Sequence, residues 1–118
     1  MKLTFVELPA FIHQVDKLGK PQSDEVLSAI ENDLLSDPKR GDVIRGTGGA
    51  RKARVGNPSK GKGKSGGFRY IYAYFELNSR IYLFYFYEKT TQDDLTVEQT
   101  KMLAKVVRLT KESLKGAK

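Results

Sequence analysis

The sequence predicts an α+β fold in the order β-α-α-β-β-β-α. It combines a small, mainly antiparallel sheet with an N-terminal helical hairpin and a C-terminal helix. Three observations carry that reading. Two helical patterns follow a short β-rich opening. Two long apolar runs then lie back to back over residues 68–89, and a capping signature precedes a last amphipathic helix. The chain has 118 residues, a common size for one domain with its own core, so residues 1–118 are read as a single domain.

Taken in order, residues 2–8 are β-rich, with Leu3, Phe5 and Leu8 available to a core. Pro9 suits the first turn of a helix, and Phe11, Ile12, Val15 and Leu18 recur at helical spacing until Gly19. Ser23 is the expected cap of a second helix, with Asp24 and Glu25 in its first turn. Val26, Leu27, Ile30, Leu34 and Leu35 form its apolar stripe, and Asp37-Pro38 stops it. A loop is expected over residues 39–49, then a strand over residues 50–55. Ala53 and Val55 share one face of that strand, Lys52 and Arg54 the other.

Residues 56–67 are polar and glycine-rich and read as a long, mobile hairpin loop. Strands follow over residues 68–77 and 80–89, joined by a two-residue turn at Asn78-Ser79. That turn would set Arg69 opposite Glu88 and diagonal to Lys89. The run over residues 81–87 lacks polar alternation, which points to cover on both faces. Thr96 and Gln99 match a capping box for a helix carrying Met102, Leu103, Val106, Val107 and Leu114. The helices are expected to pack mainly on one side of the sheet.

Charge is the most informative feature for function. Residues 39–69 hold ten Lys or Arg against one acid, Asp42, in a chain of net charge +7. The cations are threaded through glycines, in Gly46-Thr47-Gly48-Gly49 and again over residues 61–67. Glycine lets a backbone approach a ligand closely, and clustered cations attract phosphate. Binding of a polyanion, nucleic acid foremost, is the leading reading; a merely solvated basic face is the alternative. Arg69 opens a strand directly after the loop, where its planar fork of donors suits phosphate. With Lys89, Lys52 and Arg54 it can converge at one end of the sheet.

Other classes recede. No cysteine is present, so neither a disulfide framework nor a Cys-based metal or catalytic site is possible. His13 is the sole histidine and reads as a surface residue without a catalytic partner. No metal or other cofactor is expected. The longest apolar run is too short to cross a bilayer and the opening residues lack a signal-peptide core, so a cytoplasmic protein without membrane contact is expected. The spacing from Gly61 to Gly66 matches a dinucleotide fingerprint, and Gly63-Lys64-Ser65 resembles the end of a P-loop. Both need a helix where a strand follows, and neither is taken as functional. Tyr70, Tyr72 and Tyr74 share one strand face, as Tyr82, Phe84 and Phe86 are expected to do; core packing is favoured for them over base stacking. Asp93-Asp94 is assigned to stabilising the helix dipole rather than to a metal.

Over its whole length the chain resembles RelE-type bacterial toxins, and within them the HigB-like subgroup. The resemblance lies in residues 41–54, in residues 61–72 with Arg69, in residues 82–89, and in Asp93-Asp94-Leu95-Thr96. It implies a toxin of a type II toxin–antitoxin system that acts on messenger RNA at the ribosomal decoding site. The implied activity is a ribosome-dependent endoribonuclease: the ribose 2′-hydroxyl attacks the adjacent phosphate without a metal, and translation is inhibited. By position, Lys52 and Arg54 match the family's paired basic residues, Arg69 its strand-opening arginine, and Lys89 its basic position after the last strand. Lys52 is conjectured to act as a base if neighbouring cations suppress its protonation. Arg45, Arg51, Lys60, Lys62 and Lys64 would attract RNA and the ribosome. The implied partners are the ribosome, messenger RNA and a cognate antitoxin, typically a helix-turn-helix DNA-binding protein. A gyrase-poisoning toxin of the same superfamily and a noncatalytic RNA-binding module stand as alternatives. The chain departs from relatives that carry a histidine near the site or a catalytic tyrosine at the C-terminal end.

Overall fold

The computed structural model describes residues 2–57, 67–89 and 94–116. Its elements run β1 (Thr4–Glu7), α1 (Pro9–Asp16), α2 (Gln22–Ser36), β2 (Asp42–Val43), β3 (Arg51–Val55), β4 (Phe68–Phe75), β5 (Arg80–Glu88) and α3 (Val97–Lys115). They form a five-stranded sheet in the order β1-β5-β4-β3-β2, parallel between β1 and β5 and antiparallel elsewhere. The α+β class and helical hairpin are as expected. The added strand is β2, two residues of the expected loop that pair Asp42 with Lys52 and Val43 with Arg51.

The helices do not share one side of the sheet. Phe11, Val15, Val26, Ile30 and Leu34 of the hairpin pack with Phe68, Tyr70, Tyr72, Ile81, Leu83 and Phe86. Leu103 and Val107 of α3 pack with Ile71, Ala73, Phe84 and Tyr87. Side chains alternate along a strand, so these two sets mark opposite faces. The sheet is sandwiched, which explains why residues 81–87 are apolar without interruption.

A bulge reconciles those faces. Ile71 pairs with Tyr85 but Tyr72 pairs with Leu83, leaving Phe84 as the extra residue on β5. Phe86 therefore packs toward the hairpin while Tyr82 and Phe84 face α3, correcting the expectation that all three share a face. Tyr70 and Tyr72 are fully buried in the core, so core packing is their role.

Two local expectations also change. Residues Glu76–Asn78 form a 3-10 turn and Ser79 takes a left-handed φ of 51°, so β4 and β5 are not joined by a two-residue turn. The register moves by one residue: Arg69 lies across from Tyr87, and Phe68 across from Glu88. Pro21, not Ser23, occupies the N-cap of α2, and Ser23 is buried within the first turn. The capping box of α3 forms as expected: the Thr96 hydroxyl accepts from Gln99 N at 3.1 Å and the Gln99 amide oxygen from Thr96 N at 2.9 Å. The expected mobile loop lies mostly outside the described residues, and so do Lys60, Lys62 and Lys64.

Candidate nucleic-acid interface

Lys52 and Arg54 point to the α3 side of β3 because Ala53 and Val55 are drawn into the hairpin core. Antiparallel pairing then sets Arg54 directly across from Arg69, and Arg69 across from Tyr87. At this end of the sheet a cleft of about 610 Å³ is lined by Arg40, Asp42, Lys52, Ala53, Arg54, Arg69 and Lys89. The structure thus gathers the four expected site cations and adds a fifth, Arg40. Arg45 is exposed on its loop and does not line the cleft. Arg51 faces away from it: one guanidinium nitrogen donates to Gly41 O at 2.7 Å and Lys39 O at 3.0 Å, bracing the turn into β2.

Arg69 is only 4% exposed. Burial and the charge of Arg54 push its guanidinium below its ordinary value, with Tyr87 opposing. Like charges directly across a sheet destabilise it; Arg69 is buried while Arg54 is exposed, so water screens the pair from one side only. Gly67 makes this geometry possible. A Cβ there would meet Val55 O at 2.3 Å and the Gly56 backbone at 2.9 Å, so β4 approaches β3 closely only with glycine before Phe68.

Arg40 enters from the segment after α2. Its guanidinium donates to Tyr70 Oη at 3.1 Å and Arg54 O at 3.2 Å, with Asp33 at 3.8 Å. Although burial works against its charge, the bond to Tyr70 and the nearby acid raise its pKa above the ordinary value. The density of cations after Asp37-Pro38 was the available signal for Arg40, but a loop gives no face to read.

Asp94 does more than precede a helix. Its Oδ1 accepts from Leu95 N at 2.8 Å and from the Lys52 ammonium at 3.3 Å, tying the entry of α3 to β3. The Leu95 bond, then Lys52, hold the Asp94 carboxyl below the usual value. Lys52 therefore pairs with a carboxylate at the entry of α3. Asp93 lies outside the described residues. Tyr87, across from Arg69, has a buried hydroxyl with no hydrogen-bond partner among the described residues. Burial, with Asp94, raises its phenol above the ordinary value and Arg69 works against that rise.

A second cleft, about 670 Å³, lies between α1 and the end of β5 and includes His13, Lys17 and Glu88. Its mixed lining concentrates no charge of one sign, and His13 is exposed. Among the described residues no group of three or more His, Cys, Asp or Glu could hold a metal ion, and no helix is long and apolar enough to cross a membrane.

No model of a known protein family matches the sequence. Solved structures do match the fold. A free-state arginine-to-alanine double mutant of the E. coli toxin RelE aligns with a TM-score of 0.56 at 15% identity, covering 79% of this chain and 90% of that one. The intact E. coli RelBE toxin–antitoxin complex gives 0.55 at 15% identity, covering 74% and 96%. The isolated E. coli RelE toxin gives 0.55 at 12%, covering 89% and 99%. The protein has a RelE-like fold.

Proposed function

We propose that the protein is the toxin of a type II toxin–antitoxin system, acting in the cytoplasm as a ribosome-dependent messenger RNA endonuclease. The observation that carries this is the cationic cleft, with buried Arg69 held across from Arg54 and flanked by Lys52, Lys89 and Arg40. The likeness to E. coli RelE supports it, and the sequence resemblance favours a HigB-like member. A cognate antitoxin is the expected partner, as the RelBE complex has for RelE.

Cleavage by an internal nucleophile asks little covalent chemistry of the protein. The 2′-oxygen must be held in line with the scissile phosphate, and charge building on the phosphorane must meet donors that are already in place. Arg69 and Arg54 are suited to clamp the phosphate oxygens, because sheet pairing fixes their separation before substrate arrives. Lys52 and Lys89 add charge at the rim.

The test is cleavage of a transcript on programmed ribosomes by the purified toxin, with naked RNA left largely intact. Arg69→Ala should lower the rate by about a hundredfold or more, the scale for losing one preorganised donor, with the fold unchanged by circular dichroism. Folded wild-type protein that binds ribosomes without cutting the transcript would overturn the reading in favour of a noncatalytic RNA-binding module.

A further inference from the structure

Charge in this molecule is divided by the sheet. On the hairpin side, residues 2–38 hold Lys2, Lys17 and Lys20 against seven acids. Asp16 and Glu31 sit near enough to raise the carboxyl of Glu7, after burial itself. On the opposite side lie Lys52, Arg54 and Arg69 of the cleft and α3, whose Val97–Lys115 span holds five Lys or Arg against Glu98 and Glu112, while Arg40 reaches the cleft from the hairpin face beside Tyr70.

The cations of α3 are ordered. Lys101, Lys105, Arg108 and Lys115 are spaced by four, three and seven residues, which puts them on one stripe of a helix. All four are exposed, opposite the buried Leu103, Val107 and Leu114. Glu112 falls on the same stripe, between Arg108 and Lys115, and Glu98 stands one turn before Lys101, yet none of the four cations makes an ion pair among the described residues. Lys111 is used differently, its ammonium donating to Gly48 O.

The stripe is joined to the cleft. Asp94, just before α3, bonds Lys52, so the helix starts at the rim of the cleft. Its 19 residues then extend for about 28 Å. Phosphates recur along a nucleic-acid strand, and a row of exposed cations on a helix can meet several of them without reading bases.

We propose that the outer face of α3 is a second RNA-backbone surface, on which Lys101, Lys105, Arg108 and Lys115 hold phosphates of folded ribosomal RNA while the cleft takes the strand to be cut. This rests on the ribosome-directed reading above and names the contact that would orient the toxin. The acidic hairpin side faces away from RNA in that arrangement.

The experiment measures binding of the full-length protein to purified ribosomes across a salt series, separately from cleavage. The triple variant Lys101→Gln, Lys105→Gln, Arg108→Gln should lose at least tenfold in affinity at low salt. Its slope of log affinity against log salt should fall by roughly two to three, the share of three phosphate contacts. Neutralising Asp24 and Glu25 on α2 should leave that slope unchanged. A triple variant with the wild-type affinity and slope overturns the proposal, as does one that binds ribosomes normally but no longer retains a protein partner. Failure of the wild type to cleave would count against the enzymatic reading alone, because the binding slope is read without it.

Discussion

Arg69 owes its setting to the residues around it rather than to its own preference. A guanidinium in a buried strand position is costly, and a second one directly across raises the cost. Tyr70, the next residue, turns to the other face, where Arg40 bonds its hydroxyl. Burial raises the Tyr70 phenol to about 12 from 10.0, with the Arg40 bond opposing. The fold thus holds the neutral phenol, so the stability this gives is complete below pH 10 and is lost as pH climbs through about 12. Linkage sets it at roughly 2–3 kcal/mol. Tyr70→Phe should therefore unfold less steeply than the wild type between those pH values in urea titrations followed by circular dichroism. An unchanged steepness would mean that Tyr70 is not the group responsible. The candidate cations could be picked out in the sequence because Lys52 and Arg54 alternate with Ala53 and Val55, and Arg69 interrupts an apolar strand. Their partners were less legible. Glu88 was expected across from Arg69; the 3-10 turn shifts the pairing by two residues and the bulge at Phe84 returns one, which puts Tyr87 there.

Between elements, the decisive features are a bulge and a glycine. The extra residue at Phe84 lets one strand feed both cores, and it changes which side chains meet α3. Sequence periodicity implied that both faces of β5 are covered, yet it could not locate a one-residue slip, which depends on pairing with β4. For the same reason the two-residue β2 was invisible: Asp42 and Val43 are strand only because β3 lies beside them. The capping box was readable because its bonds are local. Gly67 belongs with the nonlocal features, since only the proximity of Val55 O reveals its need. Gly67→Ala should destabilise by about 2 kcal/mol or more, because the added carbon meets backbone rather than a yielding side chain. Arg69 lies two residues along the displaced strand, so phosphate binding should weaken as well. Thermal melting and RNA titration check both, and an alanine variant with wild-type values in each would show that β3 and β4 need not approach so closely.

At the scale of the whole molecule, the sandwiched sheet converts a sequence with a basic middle into a body with an acidic side and a basic side. The hairpin layer carries the excess of acids; the cleft and α3 carry the cations. Such a body is steered as well as bound, since the field orients it before contact is made. Any partner that silences it must overcome that attraction. An antitoxin gripping the acidic layer would leave the basic side open and would have to act by bulk alone. One with an acidic segment on the basic side would occupy the cleft and the α3 stripe together, gaining charge complementarity as it excludes RNA. The expected outcome is the second arrangement, in a stable complex that neither cleaves transcripts nor binds ribosomes, and that binds operator DNA through a helix-turn-helix in the antitoxin. Co-expression with the adjacent small gene, affinity purification and ribosome pelleting test it. Complex formation should weaken when Lys52, Lys101 and Lys105 are neutralised together, and raised salt should weaken it further. A toxin tolerated when expressed alone, with no such partner recovered, would count against the toxin–antitoxin reading. A recovered complex that still binds ribosomes would instead put the antitoxin on the hairpin side.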